Sequence, residues 1–382
     1  MKGFKNVKAY VDGCIKTVCV GFDGDTILYV GDNPDVIDEE IVIDGILCPG
    51  FIDQHIHGAN DVDFMSCDLD GLKSITKTLV KEGVTSFVPT TTTFDIDKTV
   101  EAVKIAKEYT LNTPDNSTKV VGVHLEGPFI DFGKKGAQNP DYILKPNVAA
   151  FDKVYDAGEG LVKMISLAPE VDGMCDFIKH VASKGVTVSA GHTNATSKQL
   201  KDGIDCGITC VTHTFNAMSG FTHREIGVVG GSMIYDVYNE IICDGVHVNF
   251  DAIKILAKQK PDKLILITDA LSPKGSVTAK VNSFTSLGGL KVQLCPDAIR
   301  LESGTLAGSI LTMNKGIENL VKHVGLPLET ALLYATENPA KNLKVFDTIG
   351  SITIGKKADF AVLGEDFTVK LTVVDGKTAY LA

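Results

Sequence analysis

Eight short apolar segments recur along the middle of the chain, and helical periodicity fills several of the intervals between them. Residues 69–83 and 250–260, for example, place apolar residues three and four positions apart, which is the spacing of one helix face. Near-continuous apolar strands that alternate with helices predict an α/β fold with a parallel sheet, and closure at eight strands predicts a (β/α)₈ TIM-type barrel. The predicted strands lie at residues 51–58, 85–90, 119–127, 162–170, 186–193, 210–216, 240–248 and 263–270.

Both ends of the chain have a different pattern, in which short β segments are separated by Gly, Asp and Asn. Asp-Gly pairs favour tight hairpin turns, and they occur at residues 12–13, 23–24 and 375–376. Neither end has enough strand residues to bury a core alone. We therefore predict one small β-sandwich domain that both termini build together.

The boundaries follow from where the two patterns meet. Residues 1–48 and 346–382 are predicted to form the small β-domain, and residues 49–345 the catalytic barrel domain inserted between them. Residues 271–305 are rich in Ser, Gly and Thr, which predicts an inserted loop or hairpin. A helical tail is predicted from about residue 308 to residue 344.

The composition is that of a globular protein and restricts its partners. The 382 residues are 44% hydrophobic and 22% charged, and the formal net charge is −11. A negative field disfavours nucleic acid and anionic membranes, so we expect neither as a partner. An anionic small substrate would need a local cationic pocket.

Cysteine usage and the distribution of apolar residues suggest a cellular location. The nine cysteines are scattered without CxxC pairs, which favours reduced, buried thiols. No run approaches 18 apolar residues, and the first residues form no apolar leader. The sequence therefore predicts a cytoplasmic protein.

Polar residues with metal-binding chemistry fall at the ends of the predicted strands. His55 and His57 in FIDQHIHG are two positions apart, so they face the same side of a strand. Other strand ends carry Glu126, His192, His213, His247 and Asp269. Because the carboxyl ends of barrel strands meet at one rim, these side chains predict a divalent metal site. Zinc is favoured, with iron, manganese and cobalt as alternatives.

The residues leave two points about this site open. Glu126, His192 and His213 are predicted ligands. His55 and His57 either complete a second metal site or, in a one-metal site, contact the ligands without binding the metal. One or two ions are therefore expected. Asp269 is either a further ligand or the base that takes a proton from water. His124 shares a face with Glu126 and is expected to support the ligands.

Several longer motifs resemble a known family. The segments PGFIDQHIHG, HLEGPF, AGHT, HTFNAMSGFTHREIG, CDGVH and ITDA occur in the order seen in the amidohydrolase superfamily. Within it, the chain resembles the N-acetylglucosamine-6-phosphate deacetylases. The resemblance implies a barrel with a small β-domain and water activated by metal. It also implies hydrolysis of the acetamide of a 6-phosphorylated amino sugar to acetate and the free amine.

The resemblance also implies roles for individual residues. Glu126, His192 and His213 match the principal metal ligands, and His55 and His57 match a pair that completes a second site in some members. Asp269 matches the catalytic acid and base. Gln138 stands where some relatives have histidine, and an amide cannot supply a cation there. The implied substrate-binding residues are Ala137, Gln138, Asn216, Ala217, Arg224, His247, Leu306, Ala307 and Gly308.

Other functions compatible with the residues are an amidohydrolase of a cyclic amide, such as dihydroorotate or a hydantoin, or of an N-acyl amino acid, and a non-catalytic metal-binding barrel. Relatives that act on cyclic amides commonly bridge two metals with a carboxylated lysine from strand 4. Here Lys163 lies near the start of that strand, and Glu126 is placed to bridge instead. The expected partner is a phosphorylated amino sugar, and we expect a homodimer.

Overall fold

All eight predicted apolar segments form parallel strands in the computed structural model, which describes residues 1–296 and 298–382. Nearly every residue in these strands is buried, as their near-continuous apolar sequence requires. We number them 1 to 8 in chain order. Their bounds are Phe51–Ile56, Val84–Pro89, Val123–Glu126, Val162–Leu167, Thr187–Ala190, Ile208–Val211, Tyr238–Ile242 and Leu264–Ile267.

The pairing of these strands produces a curled parallel arrangement. Strands 3 to 8 pair in chain order, and strand 2 pairs with strand 1 and with the short strand Lys119–Val120. Isolated parallel bridges join Thr90 to His124 and Ile56 to Ala270. The carboxyl ends of strands 2 and 3, and those of strands 1 and 8, are therefore adjacent.

A helix follows each parallel strand, which confirms the predicted alternation. In the first helix, Asp68 caps the amino end by accepting a hydrogen bond from the backbone N–H of Gly71, and Leu72, Ile75 and Leu79 form the buried face. The helices after strands 1 to 7 are Leu69–Leu79, Ile96–Leu111, Val148–Ala157, Met174–Ser183, Ser197–Cys206, Gly227–Ile234 and Phe250–Gln259. The predicted tail after strand 8 contains helices Met313–Asn319, Leu320–Val324, Leu328–Ala335 and Glu337–Asn342.

Strands from both ends of the chain form one eight-stranded sheet, which we call the terminal sheet. Ile46–Pro49 pairs with Phe360–Leu363 and so joins the two ends. The turn residues Asp12 and Asp375 have φ of 53° and 46°, and a glycine follows each, as the Asp-Gly pattern predicted. The strands are Lys2–Val11, Cys14–Asp23, Thr26–Gly31, Glu39–Glu40, Ile46–Pro49, Phe360–Leu363, Val369–Val374 and Lys377–Leu381.

The predicted insertion after strand 8 is a three-stranded antiparallel sheet, formed by Phe284–Leu287, Leu290–Leu294 and Ile299–Leu301. Its apolar residues pack with Ala137 and Leu271 in a small cluster. The insertion therefore lies over the loops that follow strands 3 and 8.

The prediction of reduced thiols is wrong for two cysteines. Cys175 and Cys206 form a disulfide with Cα atoms 5.5 Å apart. They lie 31 residues apart on helices Met174–Ser183 and Ser197–Cys206, so only the packing of these neighbouring helices brings them together. The other seven cysteines, all within the described residues, are free thiols. None of the helices described in the structure combines the length and apolarity needed to cross a membrane.

Candidate metal centre

Four imidazoles converge on one carboxylate at the carboxyl ends of the parallel strands. The Oε1 atom of Glu126 lies 3.0 Å from Nε2 of His213, 3.2 Å from Nε2 of His192 and 3.4 Å from Nε2 of His55. The Oε2 atom of Glu126 lies 3.3 Å from Nε2 of His57. These five residues are the metal ligands that the sequence predicts, and the fold brings all of them together.

Asp269 joins the same cluster from the end of strand 8. Its Oδ1 lies 3.1 Å from Nε2 of His57 and 3.5 Å from Nε2 of His55. The backbone N–H of Asp269 donates to the carbonyl oxygen of His55 over 2.8 Å, so the pairing of strands 1 and 8 fixes its position. Asp269 has a φ of 48°, a conformation in which a residue with a side chain is strained.

The donor set fits a divalent cation. Two of the three groups of described residues whose ligand atoms lie within 4.8 Å of one another contain Glu126, namely Glu126 with His192 and His213, and Glu126 with His55 and His57. The Nε2 atoms of His192 and His213 are only 3.1 Å apart, which requires a proton or a cation between two neutral rings. Imidazole nitrogens and a carboxylate oxygen are ligands that suit zinc and similar metals.

Hydrogen bonds orient three of the imidazoles towards the centre. The Nδ1 atoms of His57 and His192 lie 3.1 Å and 3.0 Å from the backbone carbonyl oxygens of Thr90 and Lys134. The Nδ1 atom of His55 lies 3.0 Å from Oε2 of Glu240. Because a carbonyl or carboxylate oxygen accepts, each Nδ1 donates, which leaves each Nε2 as the nitrogen that faces the centre and would bind a cation.

The two carboxyl groups of the centre are ionised. Burial raises the pKa of the Asp269 carboxyl, but the adjacent His55 and His57 outweigh burial and lower it to about 2. Burial has the same effect on Glu126, and the charge of His55 together with hydrogen bonds from His192 and His213 holds its pKa well below the usual value. Burial lowers the pKa of the His57 imidazole, but bonds to Asp269 and Glu126 raise it to about 9.

A cavity of about 340 Å³ opens onto this cluster. Ligand sites of this size are typically concave pockets with a few convergent polar groups. Most of the predicted substrate-binding residues line it, namely Ala137, Gln138, Asn216, Ala217, His247, Leu306, Ala307 and Gly308. The lining residues that were not individually predicted are Gly133, Lys134, Gly136, Leu271, Leu287 and Thr305.

The loop after strand 6 turns sharply at the cavity wall. His213, Phe215 and Ala217 have φ of 25°, 84° and 48°, which is unusual for residues with side chains. This conformation lets Asn216 and Ala217 line the cavity while His213 faces Glu126. Strain of this kind is concentrated at functional sites.

Arg224 is not among the residues that line this cavity. It lies in an exposed segment, residues 221–225, further along the loop after strand 6. Glu225 anchors this segment, because its Oε1 accepts hydrogen bonds from the backbone N–H groups of Ser197 and Gly227 over 3.0 Å and 2.9 Å. The role of Arg224 stays a prediction.

Gln138 and His247 make contacts that the sequence did not predict. Nε2 of Gln138 donates to Oε2 of Glu126 over 2.6 Å, and Oε1 of Gln138 accepts from the backbone N–H of Thr93. Nδ1 of His247 pairs with Oδ2 of Asp244 at 2.6 Å. Its Nε2 is buried and has no hydrogen-bond partner in the described part of the chain, so it is available to a ligand in the cavity.

His124 lies behind the centre. Its ring centroid is 4.7 Å from that of His55, and its Nε2 lies 2.7 Å from Oγ of Ser166. Burial, followed by the charge of His55, lowers the pKa of His124 well below its usual value. The imidazole is therefore neutral and packs against a ring that faces Glu126.

The chain matches the Amidohydrolase family over residues 46–379. It is 37% identical to the N-acetylglucosamine-6-phosphate deacetylase of Bacillus subtilis (strain 168) over 344 residues, which cover 89% of this chain and 86% of that protein. The crystal structure of N-acetylglucosamine-6-phosphate deacetylase from Pasteurella multocida is similar, with a TM-score of 0.92, 32% identity and coverage of 99% of both chains.

A second similar structure was solved with a ligand bound. A mutant of N-acetyl-D-glucosamine-6-phosphate deacetylase from Mycobacterium smegmatis, in complex with N-acetyl-D-glucosamine-6-phosphate, has a TM-score of 0.91 and 28% identity and covers 100% of this chain and 99% of its own. Both the family match and the identity to the B. subtilis relative extend over most of the chain. The chain therefore belongs to the amidohydrolase family, and within it to the N-acetylglucosamine-6-phosphate deacetylases.

Proposed function

We propose that the chain hydrolyses N-acetyl-D-glucosamine 6-phosphate to D-glucosamine 6-phosphate and acetate. The observation that carries this proposal is the convergence of four histidine nitrogens on the carboxylate of Glu126, with Asp269 beside them and a cavity above. The names of the relatives give the substrate. The family membership and the site chemistry support the same reaction.

We further propose that the eight parallel strands close into a (β/α)₈ barrel. The bridges between Ile56 and Ala270 and between Thr90 and His124 support closure, because they link the two separately paired groups of strands. We propose that the terminal sheet is a small β-domain of residues 1–48 and 346–382, with the barrel at 49–345. Its separate apolar cluster around Phe4, Phe22 and Phe360 supports this division.

We propose that the site holds one or two divalent ions, with zinc preferred. Glu126, His192 and His213 would hold the first, and His55, His57 and Glu126 the second. A bound divalent cation polarises a carbonyl group and lowers the pKa of a coordinated water molecule towards ~7. Glu126 would bridge the two sites, because its Oε1 lies near His55 as well as near His192 and His213.

Asp269 would carry the proton in both halves of the reaction. It is ionised and lines the cavity, so it can accept a proton from the attacking water. The water oxygen bonds to the acetyl carbon, and Asp269 then gives the same proton to the amine nitrogen as the carbon–nitrogen bond breaks. Nε2 of His247, which has no protein partner in the described residues, would contact a polar group of the substrate.

Recognition of the phosphate needs a local cation, because the chain carries a net charge of −11. We propose Arg224 for this role, since a guanidinium binds phosphate in a bidentate way and stays charged. Its exposed position requires that the phosphate lie at the outer edge of the cavity, or that the segment 221–225 approach it on binding.

The first experiment measures acetate release from N-acetylglucosamine 6-phosphate, from unphosphorylated N-acetylglucosamine, and from a cyclic amide and an N-acyl amino acid. We expect the sugar phosphate to be the best substrate by kcat/KM. A higher kcat/KM on the cyclic amide or the N-acyl amino acid would contradict the proposal. A cyclic amide is the less favoured substrate, because relatives that act on one commonly use a lysine of strand 4 to bridge two metals. Here Lys163 lies near the start of that strand, away from Glu126.

The second experiment tests Arg224. Arg224→Ala should lower kcat/KM for the sugar phosphate and leave that for the unphosphorylated sugar nearly unchanged. A charged hydrogen bond contributes ~1.5–3 kcal/mol, so the preference for phosphate should fall by roughly ten- to a hundredfold. Lys198→Ala, which removes an exposed cation from the helix Ser197–Cys206, is the control. Equal losses on both substrates would assign Arg224 a structural role.

A further inference from the structure

One buried carboxylate next to the metal centre, that of Glu240, is not among the predicted metal ligands. Glu240 lies within strand 7 and is fully buried. Its Oε2 lies 3.0 Å from Nδ1 of His55 and accepts a bond from the backbone N–H of His213 over 3.3 Å. Its Oε1 accepts from Nε2 of Gln54 over 2.7 Å. One side chain therefore touches residues of both candidate metal groups.

The contacts of Glu240 fix which nitrogen of His55 carries its proton. Because the carboxylate oxygen of Glu240 accepts from Nδ1, Nε2 is the nitrogen of His55 that faces the centre and would bind a cation. Gln54 is held in the matching orientation, because Nδ2 of Asn342 donates to its Oε1 over 3.1 Å. The Nε2 atom of His55 is buried without a hydrogen-bond partner in the described residues. It is thus directed at the centre and available as a ligand.

His55 differs from the other imidazoles of the centre in this respect. The Nδ1 atoms of His57 and His192 bond to backbone carbonyls, and Nδ1 of His213 has no hydrogen-bond partner among the described residues. A carboxylate carries a full charge, whereas a carbonyl is a dipole, and a charged partner raises the basicity of an imidazole ligand more. The affinity of the group that contains His55 should therefore depend on the side chain at position 240.

A different role for Glu240, as a metal ligand itself, is less consistent with its contacts. His55, His124 and Glu240 do have potential ligand atoms within 4.8 Å of one another. Both oxygens of Glu240, however, already accept hydrogen bonds from Gln54 and His213, and His55 lies at hydrogen-bond distance. His124 is engaged at Nε2 by Ser166. A hydrogen-bonding role accounts for the contacts of both Glu240 oxygens.

We propose that Glu240 is a positioning residue that holds His55 for the second metal site and so determines whether that site fills. The inference rests on the proposed two-ion site of His55, His57 and Glu126. Glu240 itself touches neither substrate nor the metal. Glu240 contacts the imidazole of His55 but only the backbone N–H of His213, so its removal should weaken the site of His55 selectively, whereas a general loss of structure would weaken both sites.

The test measures zinc binding without reference to catalysis. Wild-type protein and Glu240→Gln are freed of metal with a chelator and titrated with zinc against a competing indicator, and bound zinc per chain is measured by elemental analysis. We expect two zinc ions in the wild type. In Glu240→Gln we expect the second dissociation constant to rise ~10–100-fold, the range for a lost outer hydrogen-bond partner, while the first stays nearly constant. Asp359→Asn, which changes a buried carboxylate of the terminal sheet, is the matched control and should bind as the wild type does.

Each other outcome overturns the inference. Two unchanged dissociation constants in Glu240→Gln would show that Glu240 does not position His55. Equal weakening of both would show a structural role, and three ions in the wild type would make Glu240 a ligand. A single ion in the wild type would remove the second site, yet acetate release could still support the proposed reaction. If Glu240→Gln does not fold, Gln54→Met serves as the second variant, because it removes the hydrogen bond that orients Glu240. We expect Gln54→Met to raise the dissociation constant of the second zinc ion by a smaller factor. No change in that constant would also overturn the inference.

Discussion

The metal centre and the aromatic cluster of the terminal sheet are both buried, but different interactions hold them together. In the terminal sheet, Phe360 packs against Phe4 and Phe22 with ring centroids 5.5 Å and 5.6 Å apart. These contacts are apolar, and their energy depends on the area removed from water. At the centre, the rings of His55 and His124 are as close, at 4.7 Å, but every ring nitrogen needs a partner in a particular direction.

The difference teaches where stability and function lie in this chain. Convergent imidazoles and carboxylates are costly to bury, and such groups are retained where chemistry needs them. The aromatic cluster contributes stability without chemistry. Lys119 joins the terminal sheet to the parallel strands and not to the metal centre, because its short strand pairs with strand 2 and its Nζ pairs with Asp359 over 2.8 Å and with Asp375. Substitutions in one region should therefore affect rate and metal content, and those in the other should affect the free energy of unfolding.

Glu126→Gln should have the largest effect. The variant loses the charge on which four imidazoles converge, so it should bind less metal and lose turnover. The loss should exceed the ~10⁴-fold that a single acid or base group contributes. Metal analysis and initial rates measure the two effects. Full metal content with a near-normal rate would contradict the assignment of Glu126.

Asp269→Asn should have the next largest effect and should separate proton transfer from metal binding. We expect metal content and substrate binding to be retained, while kcat falls by ~10²–10⁴-fold because one residue serves both proton transfers. Equilibrium binding of the substrate and steady-state rates test this. A fall below about tenfold would mean that another group moves the proton.

The strand ends were the part of the site that the sequence predicted best. The apolar runs locate the ends, and residues such as His55, His57 and Asp269 are recognisable there because imidazole and carboxylate interrupt apolar sequence. Glu240 was missed although it is also a charged residue inside an apolar run, YNEIICDG. It lies within its strand and not at the carboxyl end. A search limited to residues at the carboxyl ends of the strands therefore does not find it.

Long-range contacts could not be predicted for a different reason. Neither the disulfide between Cys175 and Cys206 nor the bond from Asn342 to Gln54 has a local spacing that marks it. The exposed position of Arg224 depends on how Glu225 anchors its loop, which a motif does not specify. Turn and strand patterns depend on neighbouring residues, so they were predictable; these contacts depend on the finished packing.

Phe360→Ala should affect stability and leave the chemistry unchanged. Removing this fully buried ring from the terminal sheet should lower the free energy of unfolding by ~3–5 kcal/mol. Urea unfolding measures the loss, and kcat of the folded variant should match that of the wild type. Leu381→Ala is the control, since Leu381 is 72% exposed and its truncation should cost less than ~0.5 kcal/mol. A large fall in kcat for Phe360→Ala would show that the two regions are coupled.

Thr196→Ala should have the smallest effect and tests whether the polar loops around the centre behave as structure or as chemistry. Thr196 caps the helix Ser197–Cys206, and its Oγ1 accepts from the N–H of Gln199 over 3.2 Å, while Oε1 of Gln199 accepts from the N–H of Thr196 over 2.9 Å. Losing this cap should lower the free energy of unfolding by ~1 kcal/mol. Thr196→Ser keeps the hydroxyl and should cost little.

His192 lies only four residues before this cap, yet its imidazole is oriented by the carbonyl oxygen of Lys134, on a different loop. We therefore expect Thr196→Ala to bind the same amount of zinc as the wild type and to show the same kcat, even though its unfolding midpoint in urea is lower. Loss of bound zinc in Thr196→Ala but not in Thr196→Ser would mean that the helix cap itself positions His192. The boundary between a stabilising periphery and a chemical centre would then have to be drawn farther from the ligands, so that the centre includes the helix cap.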